Sequence, residues 1–309
     1  MAHQHPHAHE PHSAVSRKLI AAAAATLIFV LIELAAGVAA HSLSLIGDAF
    51  HNFTDTLALV IALVALRLER RPPTMERSFG YQRAGILAAF INGGILVCLT
   101  VFLFVEAAQR FRTPEAVDSR AMLIVAAVAI VLNGSITYSL HRAGRDDVNI
   151  RGAAIHMLGD AVSAAGIIVA ALLIRFTGRQ VWDPAMSVVI GVLILWSSWG
   201  VLREAVNLLL EGTPAGIDPD AVTRALAALE GVEGVHHLHI WALGPSRPAL
   251  SCHLMVGDVP LRSTTPLLTT VTEMLEHDYR IAHTTIQFEF ASCAEDDPYC
   301  VPYTQTTRP

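Results

Sequence analysis

The stretch Leu43-Ser-Leu-Ile-Gly-Asp-Ala-Phe-His-Asn-Phe-Thr-Asp-Thr-Leu-Ala-Leu-Val-Ile-Ala-Leu-Val-Ala-Leu66 is apolar enough to cross a bilayer, yet it carries Asp48, His51 and Asp55. A span takes roughly 20 apolar residues. An aspartate at the bilayer centre costs about 2.5–3.5 kcal/mol on insertion scales, so an intramembrane ionisable residue asks for a partner. His51 and Asp55 are four residues apart, which puts them on one helix face, one turn from each other.

Working outward, five more runs have the same length and character: Leu19–Ala40, Ala84–Ala107, Ala121–Leu140, Gly152–Ile174 and Ala185–Leu202. The fifth span repeats the pattern as His156-Met-Leu-Gly-Asp160. Both aspartates fall near mid-membrane at about 1.5 Å per residue. Two such helices facing each other bring two imidazoles and two carboxylates to one point. Tetrahedral nitrogen and oxygen ligation suits Zn²⁺. Soft Cu(I) prefers sulfur, and Mg²⁺ or Ca²⁺ want six or more oxygens. Fe²⁺, Co²⁺, Ni²⁺ and Cd²⁺ remain within range.

Composition agrees. The 309-residue chain is 53 % hydrophobic and only 16 % charged, against about 25 % charged in soluble domains. Its mean hydropathy is +0.49. A net charge of −6 leaves no basic excess for phosphates, which argues against nucleic acid as a partner. Four cysteines do not make a disulfide framework. The first apolar run is too long for a signal peptide. Arg and Lys cluster on one side of the spans, at Arg17, Lys18, Arg67, Arg70, Arg71, Arg77, Arg83, Arg142, Arg145, Arg151 and Arg203. The positive-inside rule then makes both termini cytoplasmic.

Past Gly212 the pattern changes. Ile217–Glu230 and Thr264–Asp278 read as helices; Val235–Leu243, Ala249–Val256 and Thr284–Phe290 read as strands. The order α-β-β-α-β predicts a small α+β domain with an open sheet. The expected organisation is a His-rich tail over 1–16, a six-helix membrane domain over 17–211, a cytoplasmic domain over 212–292 and a flexible tail over 293–309. The tract holding His3, His5, His7, His9 and His12 either concentrates metal near the membrane or is a disordered tail with incidental histidines. Asp48 either lines an access path and relays protons or sits at the headgroup boundary, where a charge is cheap; the boundary is slightly favoured. Glu33 and Asn133 are further polar residues within spans, and Glu106 is expected to snorkel from a span end.

The motifs His41-Ser-Leu-Ser-Leu-Ile-Gly-Asp-Ala-Phe-His-Asn-Phe-Thr-Asp55, Ser78-Phe-Gly-Tyr-Gln-Arg-Ala84, Asn149-Ile-Arg-Gly-Ala-Ala-Ile-His-Met-Leu-Gly-Asp160 and His236-His-Leu-His-Ile-Trp-Ala-Leu243, in this order with six spans, resemble the cation diffusion facilitators and their zinc-exporting branch. The resemblance runs from about Leu43 to Glu289. It implies a transport site at His51, Asp55, His156 and Asp160, a metallochaperone-like (ferredoxin-like) cytoplasmic domain and a homodimer joined largely through that domain. His236, His253, His283 and Glu289 match positions where family members bind metal, and Cys293 and Cys300 match a cysteine pair that can reach a neighbouring subunit. Relatives often have His and Glu where this chain has Gln82 and Gly85, and many have a His-rich loop where His141–Asn149 is short.

The expected function is secondary active export of Zn²⁺, with other divalent metals in range, in exchange for protons across the bacterial inner membrane. The expected partners are divalent metal ions, protons, lipid and a second copy of the chain. Zinc would be both cargo and regulatory ligand of the cytoplasmic domain. The alternative is a membrane metal sensor or scaffold with a structural zinc site. An intramembrane metalloprotease would need a Glu after the histidine as in His-Glu-x-x-His, but Asn52 and Met157 stand there, and no phosphate-binding Gly-rich loop is present. An enzyme is therefore not expected.

A selectivity prediction follows from the donor types. Two imidazoles favour Zn²⁺ over the larger Cd²⁺ and over Mn²⁺, which prefers more oxygen ligands, and the resemblance implies that variation at the position of His51 goes with a wider metal range. His51→Asp is expected to widen transport toward Cd²⁺. Competition uptake in vesicles checks it, and an unchanged Zn²⁺/Cd²⁺ ratio would remove His51 from selectivity.

Overall fold

The computed structural model describes the backbone of residues 12–143 and 148–290 and the side chains of 26–138 and 157–290. Six long helices come first: α1 (His12–Ala39), α2 (Leu43–Glu69), α3 (Ala84–Arg112), α4 (Ser119–Ala143), α5 (Val148–Thr177) and α6 (Trp182–Leu209). The shortest has 25 residues and the longest 30, enough to cross about 30 Å of hydrocarbon at about 1.5 Å per residue. Among the described residues, α2 to α6 each contain an apolar membrane-length window, and the described part of α1, Thr26–Ala39, is apolar as well.

The C-terminal part holds α7 (Pro219–Ala227), β1 (Gly234–Gly244), β2 (Arg247–Met255), a 3-10 turn (Leu261–Thr264), α8 (Thr265–Tyr279) and β3 (His283–Glu289). This is the α-β-β-α-β order expected. α7 begins where Asp218 accepts a hydrogen bond from the Asp220 amide and Pro219 fills the first helical position. It ends earlier than the expected Glu230: the Leu229 and Val232 amides turn back to Leu226 and Leu229, and Gly231 takes φ 90°. β1 and β2 form an antiparallel hairpin, and β3 lies parallel to β2. A parallel neighbour requires a crossover, which α8 supplies.

Two compact units result. The first contains residues up to Val60 and Asn92–Trp199; the second contains Ile61–Ile91 and the chain from Gly200. In the first, Leu45, Leu96, Met122, Ala126, Ile167, Ala171 and Ile190 form a buried core joining α2 to α6. Alanines on α4 and α5 let those helices approach closely. In the second, Val222 and Leu226 of α7 and Val271 and Leu275 of α8 cover Ile240, Leu250, Cys252 and Leu254 of the sheet. One sheet face is thus sealed by helices. Burial pushes the Cys252 thiol up to about 12, so it is an inert core group.

One buried carboxylate sets the entry of α2. Ser42 caps that helix, its Oγ accepting from the Leu45 amide at 3.3 Å. Asp183, in the first turn of α6 and fully buried, accepts from Ser42 Oγ at 2.7 Å, the Leu43 amide at 2.7 Å, the Ser44 amide at 3.2 Å and Ser44 Oγ at 2.6 Å. A carboxylate at a helix N-terminus satisfies amides that have no intrahelical acceptor. Arg110 of α3 stands 3.7 Å from the same carboxylate and donates to the His41 carbonyl. Three helices are tied together two turns before His51. Asp183→Ala leaves these buried donors without an acceptor, at a cost of about 1–3 kcal/mol. The expected outcome is a lower melting temperature of the detergent-solubilised chain, with Asp183→Asn losing less; equal melting of Asp183→Ala and the parent would contradict the capping role.

Candidate metal centres

The first centre is built on α2 and α5. Helical spacing puts His51 and Asp55 on one face, and His51 Nε2 lies 3.6 Å from Asp55 Oδ2. From α5, Asp160 Oδ1 approaches the same nitrogen at 3.7 Å. Ligand atoms of the three residues all lie within 4.8 Å of one another. Asp160 is buried, His51 and Asp55 partly so, and distances of this size leave room for an ion about 2 Å from each donor. The two carboxylates and the imidazole come from helices distant in sequence, so the convergence belongs to the packing. His156 lies on α5, one turn before Asp160; its side chain is outside the described residues.

More polar groups surround this centre than the two motifs account for. Asp48, read from the sequence as either an access-path or a boundary residue, is 1 % exposed and enclosed by its neighbouring helices. Its Oδ1 accepts from Ser163 Oγ at 2.7 Å, bonding α2 to α5 one turn from His51. Glu33 of α1 is also fully buried; its Oε2 accepts from Asn52 Nδ2 at 3.3 Å. The signal for these two was visible only as acidic residues in apolar runs, and depth in the bundle is what distinguishes them from boundary charges. Glu106 pairs with Arg110 one turn on, at 3.2 Å.

The second centre lies on the sheet face opposite α7 and α8. Residues paired across strands point to the same face. Leu250, Cys252 and Leu254 of β2 face the helices, so Ser251, His253 and Met255 face the other way. His236 pairs with His253, and Glu289 pairs with Met255, two positions along. Glu289 then spans both imidazoles: Oε2 is 2.8 Å from His236 Nε2 and Oε1 is 2.9 Å from His253 Nδ1. Their ligand atoms also fall within 4.8 Å of one another. Burial lowers the His253 pKa below the ordinary histidine range, with His237 and His236 acting in the same direction and Glu289 opposing them. A neutral imidazole at neutral pH is the form that ligates metal.

His283 does not join this group. It shares the face, but it pairs with Ala249 while Glu289 pairs with Met255. Six residues of strand separate them, about 20 Å. Its ring instead meets Phe79 edge-on at 5.4 Å. The structure therefore places His283 apart from His236, His253 and Glu289 on the same sheet face. Cys293, Cys300 and the histidines before residue 12 lie outside the described residues.

Residues 19–210 match the cation efflux transmembrane domain, and residues 214–291 match the cation efflux protein cytoplasmic domain. The chain is 38 % identical to the zinc transporter ZitB of Shigella flexneri over 301 residues, 96 % of this chain and 95 % of the relative. It is 36 % identical to the metal cation efflux system protein CzcD of Cupriavidus metallidurans, covering 94 % and 92 % of the two chains. It is 34 % identical to the cadmium, cobalt and zinc/H(+)-K(+) antiporter of Bacillus subtilis, covering 91 % of each. A solved structure of the metal-bound C-terminal domain of CzcD is 33 % identical over 24 % of this chain and 99 % of its own, with a TM-score of 0.22. Two domain matches in succession, across membrane helices that enclose one candidate metal centre and a sheet that carries another, make this chain a member of the cation efflux family, a multi-pass metal-ion transporter of its zinc-exporting branch and not an enzyme.

Proposed function

We propose that the chain exports Zn²⁺ from the cytoplasm in exchange for protons, using His51, Asp55, His156 and Asp160 as the passage site. The observation that carries this reading is the approach of Asp160 to His51 and Asp55 from a different helix, with all three ligand atoms inside 4.8 Å. Binding requires neutral imidazole and ionised carboxylate, so protons and metal compete for one set of atoms. A site opened to each face in turn then exchanges one for the other. A relative at 34 % identity bears the name of a zinc/H(+)-K(+) antiporter, which supports cation exchange as the driving reaction. The chain is placed in the bacterial inner membrane with both termini cytoplasmic, and works as a homodimer through its cytoplasmic domain.

His236, His253 and Glu289 hold a regulatory Zn²⁺ in that reading. Two nitrogens and a carboxylate oxygen are the donor set such an ion takes, and the three already lie close together. When bound, the ion would bridge β1, β2 and β3 at one edge of the sheet face opposite α7 and α8. These residues would hold it; Glu289, which accepts from Gln287 Nε2 at 2.6 Å, would offset part of its charge.

Transport is tested in sealed proteoliposomes with an imposed pH gradient, with and without K⁺. Asp55→Ala and Asp160→Ala are expected to reduce Zn²⁺ flux to background while the protein inserts normally. Near-normal flux in either variant would overturn the passage site. Binding without flux in the parent would turn the reading to a sensor or scaffold.

The exchange is tested by calorimetric titration of Zn²⁺ in buffers of different ionisation enthalpy. Proton release is expected on binding, and affinity is expected to fall as pH is lowered. Release of about zero protons per zinc at neutral pH would point to an independent proton path.

The cytoplasmic ion is tested by melting. Zn²⁺ at about 100 times its dissociation constant should stabilise the folded state by about 2.7 kcal/mol. The upward shift should shrink in His253→Ala while vesicle flux persists. An unchanged shift would make this histidine structural.

A further inference from the structure

A regulatory site built from His236, His253 and Glu289 leaves a four-coordinate zinc one ligand short. The neighbouring residue has an uncommon backbone. His237 adopts φ 49°, the left-handed region that a non-glycine residue seldom occupies. Such conformations persist where surrounding structure requires them, and they collect at functional sites.

The register explains what the conformation does. His236 pairs with His253 and His239 pairs with Ser251, so His237 and Leu238 together stand against Cys252 alone. This is a β-bulge. In an unbroken strand consecutive residues point to opposite faces, and His237 would turn into the helix-side core. The bulge absorbs one residue of the alternation. Leu238 and Ile240 reach the core, while His237 stays on the face of His236 and His253. Its ring centroid is 5.5 Å from that of His236 and 4.8 Å from that of His253, stacked on the latter at 21°.

We propose that His237 is the fourth ligand of the cytoplasmic site and closes it into a three-imidazole, one-carboxylate zinc centre. The proposal rests on the reading that His236, His253 and Glu289 hold metal. In the structure the His237 ring is stacked beside the three converging groups; a swing about its side-chain bonds moves a nitrogen from the stack to the ion. A closed, four-coordinate site retains its ion, which separates this centre from the passage site, where the ion must leave. His239, on the same face and 6.3 Å from His237, is a residue further along the strand and is not part of the centre.

The test uses the full chain in nanodiscs with Asp55→Ala and Asp160→Ala in the background, so that the membrane centre contributes nothing. Co²⁺ is the probe, because four-coordinate Co²⁺ gives intense visible bands and water-filled higher coordination gives weak ones; Zn²⁺ displacement then gives affinity. His237→Gly removes the imidazole and keeps a residue at ease at positive φ. It is expected to lower Zn²⁺ affinity by at least about tenfold, to weaken the Co²⁺ bands, and to leave the metal-free melting temperature at or above the parent's. Imidazole added in solution should restore the bands, and His239→Ala should change nothing. Parent affinity and parent bands in His237→Gly, with binding lost in His253→Ala, would overturn the fourth ligand and leave the three-residue site standing. Unchanged binding in both variants would overturn the site and the proposal together.

Discussion

A carboxylate in an apolar interior has to be held by donors or by a cation, because water is not there to do it. That constraint recurs where α2 meets α1, α5 and α6. Asp183 is held by the amides and hydroxyls at the start of α2. Asp48 is held by Ser163, and Glu33 by Asn52. Asp160 sits against His51. Each of these contacts joins two helices, so the acidic residues that make the spans costly to insert also specify which faces meet. Lipid-facing helices have little hydrophobic reason to choose one neighbour over another. Polar contacts of this kind supply the choice.

The contacts also support the cluster of His51, Asp55 and Asp160. α2 enters under the Asp183 cap, is bonded to α5 through Asp48, and carries His51 and Asp55 beyond both. A site that must face each side in turn needs rigid ligand spacing within a helix and adjustable spacing between helices. The pair on α2 has the first property by helix geometry.

The cytoplasmic site meets the same need for neutralisation differently. Glu289 bridges two imidazoles at hydrogen-bonding distance on strands whose register is pinned by the core beneath them. A one-residue slip would carry His253 into the helix-covered face and Cys252 out of it. The rigidity that follows suits an ion that stays. The bulge at His237 is one of two register shifts in the β1–β2 ladder, and it turns His237 toward His236 and His253.

Much of this was legible in the residues alone. Apolar runs of membrane length defined six spans, because a bilayer core has a set thickness. The four-residue spacing of His51 and Asp55 defined a shared helix face, because the helical repeat leaves no alternative. Alternation and turn residues marked the strands to within about two residues of their observed ends. What tertiary structure decided was every relation between elements. Asp48 reads as either an access-path or a boundary residue until packing of α2 on α5 encloses it. His283 has no neighbour across the sheet until parallel pairing sets it against Ala249. His237 reads as an ordinary alternating residue until a bulge turns it to the other face. Periodicity within an element is a property of local backbone geometry, so sequence carries it; convergence between elements depends on register and packing across long separations, which no local pattern encodes.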